Sequence, residues 1–156
     1  MQFRQTTADE VVLIHDFYFS SPEPDAPKAL FNSLSQEEKN AVFLEHPIQN
    51  YLSVIIGNKV IGFVGFFPDD EMNINIFCVI SPGNRKKGFF GKILSLSIEH
   101  CRRNFSDFLN IRALTRKENH AAIRGLESHE FVRKGEVIEA VQPNILYEEY
   151  IYPIKS

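Results

Sequence analysis

The sequence is short of several things, and each shortage narrows what the chain can be. It has two cysteines, Cys78 and Cys101, both inside apolar stretches. Neither has the CxxC or Cys/His spacing of a zinc site, and two thiols so placed read as buried, reduced residues. It has no basic excess: 17 Lys and Arg against 20 Asp and Glu leave a net charge of −3. That argues against a general nucleic-acid binder. No apolar run is long enough to cross a bilayer, and the opening MQFRQTTADEVV has acidic residues where a secretory signal would have its apolar core. The expectation is a cytoplasmic protein with no metal, membrane or nucleic-acid partner. There is no internal repeat, low-complexity tract or linker. The proline-rich stretch Ser20–Pro27 reads as a loop placed too early to divide two domains.

What is present suits one globular domain over residues 1–156. Of the 156 residues, 44% are hydrophobic, and the 14 Phe are useful mainly when buried or gripping a ligand. Thr7 and Glu10 fit a capping box, followed by Val11, Val12, Ile14 and Phe17 on one helical face. Ala29, Leu30 and Leu34 suggest a short helix. Ser35 and Glu38 open another, through Ala41, Val42 and Leu44, that ends at Pro47. Tyr51–Ile56 and Val60–Phe67 form a hairpin about Gly57-Asn58, and Met72–Ile80 is a third strand beyond the Pro68-Asp69-Asp70 turn. From Gly88 the period changes to that of an amphipathic helix, with Phe90, Leu94, Ile98 and Cys101 in line. A strand over 108–114, a helix over 119–128 and strands over 131–141 and 145–154 complete the chain. The order predicts a mixed α/β (α+β) domain around one twisted sheet.

The chemistry concentrates in Ile80-Ser-Pro-Gly-Asn-Arg85-Lys86-Lys87-Gly88-Phe89-Phe90-Gly91-Lys92. A strand ends, a turn and three cations follow, then a glycine, then a helix. Unpaired N–H groups at a helix start favour an anion, and Gly88 carries no side chain to block a phosphate. Gly83 and Gly88 have P-loop separation, but Phe89 and Phe90 stand where Lys and Ser or Thr are needed. GxGxxG is absent, and antiparallel strands precede the turn, so a dinucleotide site is excluded too.

The segment resembles the cofactor motif of the GNAT superfamily of N-acetyltransferases: Arg or Gln, two residues, Gly, one residue, then Gly or Ala. Arg85-Lys-Lys-Gly88-Phe89 matches; Phe90 departs at the last position, with Gly91 just after it. Ile80-Ser-Pro is similar to the family's Val-x-Pro strand end, and Asn119-His-Ala-Ala122-Ile123 to its Asn-x-x-Ala-Ile. The resemblance implies a central mixed, mostly antiparallel sheet flanked by helices, with acetyl-CoA as cosubstrate. It also implies that the backbone of Cys78, Val79 and Ile80 meets the pantetheine arm, that amides from Lys86 to Gly91 wrap the pyrophosphate, and that Asn119 contacts the cofactor. The family's general-acid Tyr is replaced by Leu126, and the Gly of its Gly-Phe helix end by Glu130, with Phe131 retained.

In such a mechanism an amine of a small molecule or peptide attacks the thioester directly. It needs a base, oxyanion donors and a proton for the departing thiolate. The catalytic residues stay unassigned. Asp69, Asp70 and Glu71 are base candidates, the alternative being a solvated acidic turn. Asn73 and Asn75 either line the acceptor groove or face solvent. Tyr147 and Tyr150 either replace the missing acid or pack as core and rim aromatics. Cys78 reads as core, and His15, His46, His100, His120 and His129 as scattered surface residues. Acceptor selection is expected from residues 17–47 and 145–150. A non-catalytic acyl-CoA-binding module and a general phosphate-binding domain are the competing readings, and a homodimer is allowed.

Overall fold

The computed structural model describes residues 1–19, 48–139 and 142–155. The proline-rich loop, the helix at Ala29–Leu34 and the helix behind Ser35 and Glu38 lie outside the described residues, as does most of the segment expected to select the acceptor. The strands are β1 (Gln2–Gln5), β2 (Tyr51–Ile56), β3 (Lys59–Pro68), β4 (Asn73–Ile80), β5 (Asn110–Arg116), β6 (Val132–Glu139) and β7 (Gln142–Pro153). The helices are α1 (Val11–Phe19), α2 (Phe89–Asn104) and α3 (His120–Ser128). Seven strands form one sheet in the order β1-β2-β3-β4-β5-β7-β6. β4 and β5 run parallel, whereas β1–β2, β2–β3, β5–β7 and β6–β7 are antiparallel, so the sheet is mixed and mostly antiparallel as expected.

The contacts gather into two compact units. One takes in Met1–Gly65 and Cys78–Lys87, the other Phe66–Phe77 and Gly88–Ser156. In the first, the Thr7 N–H donates to Glu10 Oε1 at 2.9 Å, closing the predicted capping box ahead of α1. Val11 and Ile14 are buried, and Phe17 packs on Phe63 with ring centroids 5.7 Å apart. β3 is buried from Ile61 through Phe66, the pattern of a strand covered on both faces. Gly62 lets it run close to the end of β4: a Cβ there would lie 2.5 Å from Val79 O.

The second unit is built on Ile93, Leu94, Ile98 and Cys101 of α2, Leu126 of α3, and Ile111, Tyr150 and Tyr152 of the sheet. β5 alternates half-buried and buried positions along its length. It starts at Asn110, two residues later than expected. Phe105 and Phe108 instead sit in a turn, where the Phe108 N–H donates to Phe105 O at 3.0 Å and the two rings meet edge to face. β7 opens at Gln142, before the expected Ile145, because Gln142 pairs with Glu139 of β6.

Candidate functional site

The parallel ladder between β4 and β5 covers three pairs, Asn73↔Asn110, Ile74↔Ile111 and Asn75↔Arg112. Cys78, Val79 and Ile80 lie past the last of them. Val79 is buried, and Cys78 and Ile80 are half-buried. Burial pushes the Cys78 thiol up to about 12, so it stays protonated near neutrality and is no nucleophile. Beyond Ile80, the Ser81 N–H donates to Ile61 O at 2.8 Å and Asn84 Nδ2 to Ser81 Oγ at 2.7 Å, which fixes the Pro82–Asn84 turn.

Arg85 then runs extended, at φ −75° and ψ 158°. Its Nε donates to Ile80 O at 2.9 Å and its Nη2 to Phe17 O, in the last turn of α1, at 2.7 Å. Partial burial draws its pKa below the usual arginine value. Lys86 has φ +60° and Gly88 φ +77°, two left-handed residues with Lys87 between them, and all three are exposed. Backbone that changes hand in this way turns N–H groups into an anion-binding concavity.

Gly88 is also the N-cap of α2, with no side-chain cap. The first-turn amides of Phe89, Phe90 and Gly91 therefore have no intrahelical acceptor. Among the described residues a Cβ on Gly88 would meet nothing within 4 Å, and its left-handed φ by itself calls for glycine. Lys92 Nζ stands 5.9 Å from the Phe89 ring centroid. The Phe90 ring covers Gly125 of α3, and a Cβ on Gly91 would come 3.3 Å from His129 Cε1. The side-chain directions of positions 90 and 91 thus belong to helix packing, which leaves their amides for an anion.

Asn119 is the N-cap of α3, its Oδ1 accepting from the Ala122 N–H at 3.2 Å. The Asn-x-x-Ala spacing is thus, first, a helix-start signal. Leu126 is 2% exposed, an aliphatic core residue.

The base candidates fare less well. Asp69 Oδ1 accepts from the backbone of Glu71 and Asn73, and Oδ2 from Asn75 Nδ2 at 2.9 Å and Asn73 Nδ2 at 3.3 Å. Burial works upward on its pKa, but these donors, Asn75 foremost, hold the carboxyl below its usual value. It organises the turn and is a poor base. Asn75 Oδ1 accepts from Arg112 Nη1 at 3.0 Å, and Arg112 is paired with Glu149. Asn73 Oδ1 accepts from Asn110 Nδ2 at 3.3 Å. The asparagines therefore hold neighbouring strands together. A groove of ≈ 470 Å³ is lined by Glu71, Asn73, Asn110, Lys134 and Glu149 together with Val132, Ile151 and Pro153.

Tyr150 is 2% exposed and donates its hydroxyl to Glu127 Oε1 at 3.1 Å, which ties β7 to α3; burial and that partner raise its pKa. His100 packs on Phe66 with centroids 4.5 Å apart, and burial lowers its pKa. It is half-buried, with one face on Phe66 and its Nδ1 3.2 Å from the exposed Asn104 Nδ2. His129 Nδ1 lies 2.8 Å from Gly125 O, at the end of α3. Among the described residues, no group of three or more His, Cys, Asp or Glu is arranged to hold a metal. Sequence reasoning missed Gly125 and the Phe17 carbonyl. The first was detectable as the small residue before Leu126; the second, a backbone group, leaves no trace in residue types.

The acetyltransferase (GNAT) family matches residues 9–131. No curated protein matches the sequence. Among solved structures, a chimera of the Vibrio cholerae spermidine N-acetyltransferase SpeG and hSSAT superposes with a TM-score of 0.80 at 15% identity, over 98% of this chain and 95% of that one. A GNAT-family acetyltransferase from Bacillus anthracis gives 0.73 at 18% identity, over 99% and 95%. One from Streptococcus pneumoniae gives 0.72 at 17%, over 97% and 98%. At these identities the structures speak for the fold, and the family match speaks for the chemistry. The chain belongs to the acetyltransferase (GNAT) family and is an enzyme of acetyl transfer.

Proposed function

We propose that residues 1–156 act as one acyl-CoA N-acyltransferase domain. In this reading it moves an acetyl group from acetyl-CoA to a primary amine of a small molecule or peptide. The observation that carries it is the Arg85–Gly91 turn: two left-handed residues, two exposed lysines and a 16-residue helix that starts at Gly88 with no side-chain cap. Amides of this kind hold a pyrophosphate without side-chain help. The end of the β4–β5 ladder at Asn75 supports a pantetheine arm at Cys78–Ile80, because backbone groups past a ladder need other partners. Asn119, whose Oδ1 caps α3, offers its Nδ2 to the cofactor.

Amine attack uses backbone N–H groups at the β4 end to stabilise the oxyanion, which asks nothing of side chains. With Leu126 buried and Tyr150 held by Glu127, neither serves as the acid: the attacking amine gives up its proton to water, and the departing thiolate takes one from water in return. The Vibrio cholerae neighbours are named for spermidine, so polyamines head the panel of acceptors to test. We place the protein in the cytoplasm, acting without membrane or nucleic acid and able to pair with a second copy. Among the described residues, no helix is long and apolar enough to cross a membrane.

The buried Leu126 also favours a second reading, a module that binds acyl-CoA without turnover. Thermal unfolding with CoA, followed by thiol release from acetyl-CoA with an amine panel, separates the two. Acetyl transfer predicts a higher Tm with CoA by mass action, and thiol release that depends on an amine. The binding module predicts the Tm shift alone. Gly88→Val combines a blocked cradle with a strained left-handed Cβ, so Gly88→Ala is the cleaner variant. It should cost about 1–2 kcal/mol of stability and weaken CoA binding beyond that loss. CoA binding unchanged in folded Gly88→Ala would remove the pyrophosphate from this turn.

A further inference from the structure

Arg85 occupies the first position of the phosphate-binding motif, and its charge suggests a phosphate ligand. The guanidinium points to other partners. One nitrogen reaches back across the turn to Ile80 O, the last residue of β4, and another reaches Phe17 O in the final turn of α1. Ile80, Arg85 and Phe17 lie within the same compact unit. Phe17 O lies toward the C-terminal, negative end of the α1 macrodipole, where a guanidinium is a favourable partner. The Phe17 ring lies 5.7 Å from that of Phe63, which seats this turn of α1 on β3. Lys86, the next residue, sits at φ +60°, a conformation that a residue with a Cβ keeps only when its surroundings impose it. A planar fork anchored at two backbone points, immediately before Lys86, is such a constraint.

We infer that Arg85 is a positioning residue. Its guanidinium bridges the β4 end to the last turn of α1 and so presets Lys86–Gly88 for a pyrophosphate, while Lys86 and Lys87 supply the charge. The inference rests on the acyl-CoA reading. It couples α1 to the cofactor turn, so an anion bound at the turn also steadies the end of α1.

Three variants of the full chain test it: Arg85→Lys, Arg85→Gln and the double variant Lys86→Gln/Lys87→Gln. Each is followed by CoA titration calorimetry at low and high salt, and by amide hydrogen exchange. Arg85→Lys keeps the charge but has a single donor nitrogen. It should weaken CoA binding about tenfold, the scale of one lost hydrogen bond from a charged group, with an unchanged salt dependence. It should also speed exchange in the last turn of α1.

Arg85→Gln is neutral, but its Nε2 is bonded to Cδ as the arginine Nε is, so it can keep the bond to Ile80 O. It should retain more affinity than Arg85→Lys. The double lysine variant should flatten the salt dependence and leave α1 exchange as it was. CoA should slow α1 exchange in the wild type and fail to do so in Arg85→Lys. Wild-type affinity in Arg85→Lys, tighter binding by Arg85→Lys than by Arg85→Gln, or α1 exchange indifferent to Arg85→Lys would each overturn the proposal. A wild-type chain that binds no CoA would sink the acyl-CoA reading instead, because the exchange response to Arg85→Lys needs no ligand.

Discussion

Phe90 of α2 lies directly over the Cα of Gly125 in α3: a Cβ on Gly125 would fall 2.6 Å from Phe90 Cδ2 and 2.7 Å from Cε2. The position where the GNAT motif has Gly or Ala carries a phenyl ring, and the facing position on the other helix is a glycine. The two residues share one volume. Gly125→Ala should therefore destabilise by about 1–3 kcal/mol through overpacking, even though alanine is the better helix former. Phe90→Ala should destabilise by emptying the same space. In the double variant the new methyl occupies part of what the ring vacates, so its loss should be smaller than the sum, with a coupling of about 0.5–3 kcal/mol. A double-mutant cycle by urea unfolding measures this, and strict additivity would show that ring and methyl do not compete.

A second departure from the family pattern is a stability defect that can be repaired. α3 ends with the Phe131 N–H donating to Leu126 O at 3.0 Å and the Glu130 N–H to Glu127 O at 3.1 Å, the paired bonds of a Schellman end. The residue at its left-handed position is Glu130, at φ +68°, where glycine is ordinarily found. Glu130→Gly removes the clash between Cβ and backbone and should raise stability by about 1 kcal/mol, less a few tenths for the freer unfolded chain. Glu130→Ala keeps the Cβ and should give no such gain. Thermal unfolding of the pair decides it: equal Tm values would locate the effect in the lost charge, not in the backbone.

Features specified by neighbours in sequence were legible before the structure. The Gly57-Asn58 hairpin, the Thr7/Glu10 capping box and the stripe from Phe90 to Cys101 each depend on residues a few positions apart, and each is found as expected. The features that escaped depend on contacts distant in sequence. Phe108 and Leu109 have strand-like composition, but Phe105 and Phe108 are drawn into a turn whose rings gather near Phe66 and His100. In the sequence Asp69 is one of three consecutive acidic residues, equally a base candidate or part of a solvated turn, yet four hydrogen bonds to its carboxylate set it apart. Arg85 showed its charge in the sequence; its partner, a backbone carbonyl 68 residues away, could not be read from residue types.

The same capping box predicts how the fold responds to acid. Glu10 accepts from the Thr7 N–H at 2.9 Å, from Ser53 Oγ at 3.0 Å and from Arg4 Nη2 at 2.6 Å. Ser53 is fully buried, and its hydroxyl also meets Thr6 Oγ1 at 3.0 Å, so one carboxylate joins β1, the start of α1 and β2. Burial alone would raise the pKa of Glu10, but the bonds from Arg4, Thr7 and Ser53 outweigh it and bring the value down to about 2 from an ordinary 4.5. A folded-state pKa below the unfolded one means that the unfolded chain binds more protons in between. The stabilisation is complete above about 4.5 and is lost as pH falls through about 2. Glu10→Gln should therefore be less stable than the wild type at pH 7. The difference should shrink between pH 4.5 and 2, as the wild-type carboxylate takes up its proton. Urea midpoints measured across that window test the assignment, and a gap that stays constant from pH 7 to 2 would mean that some other carboxylate governs the acid limb.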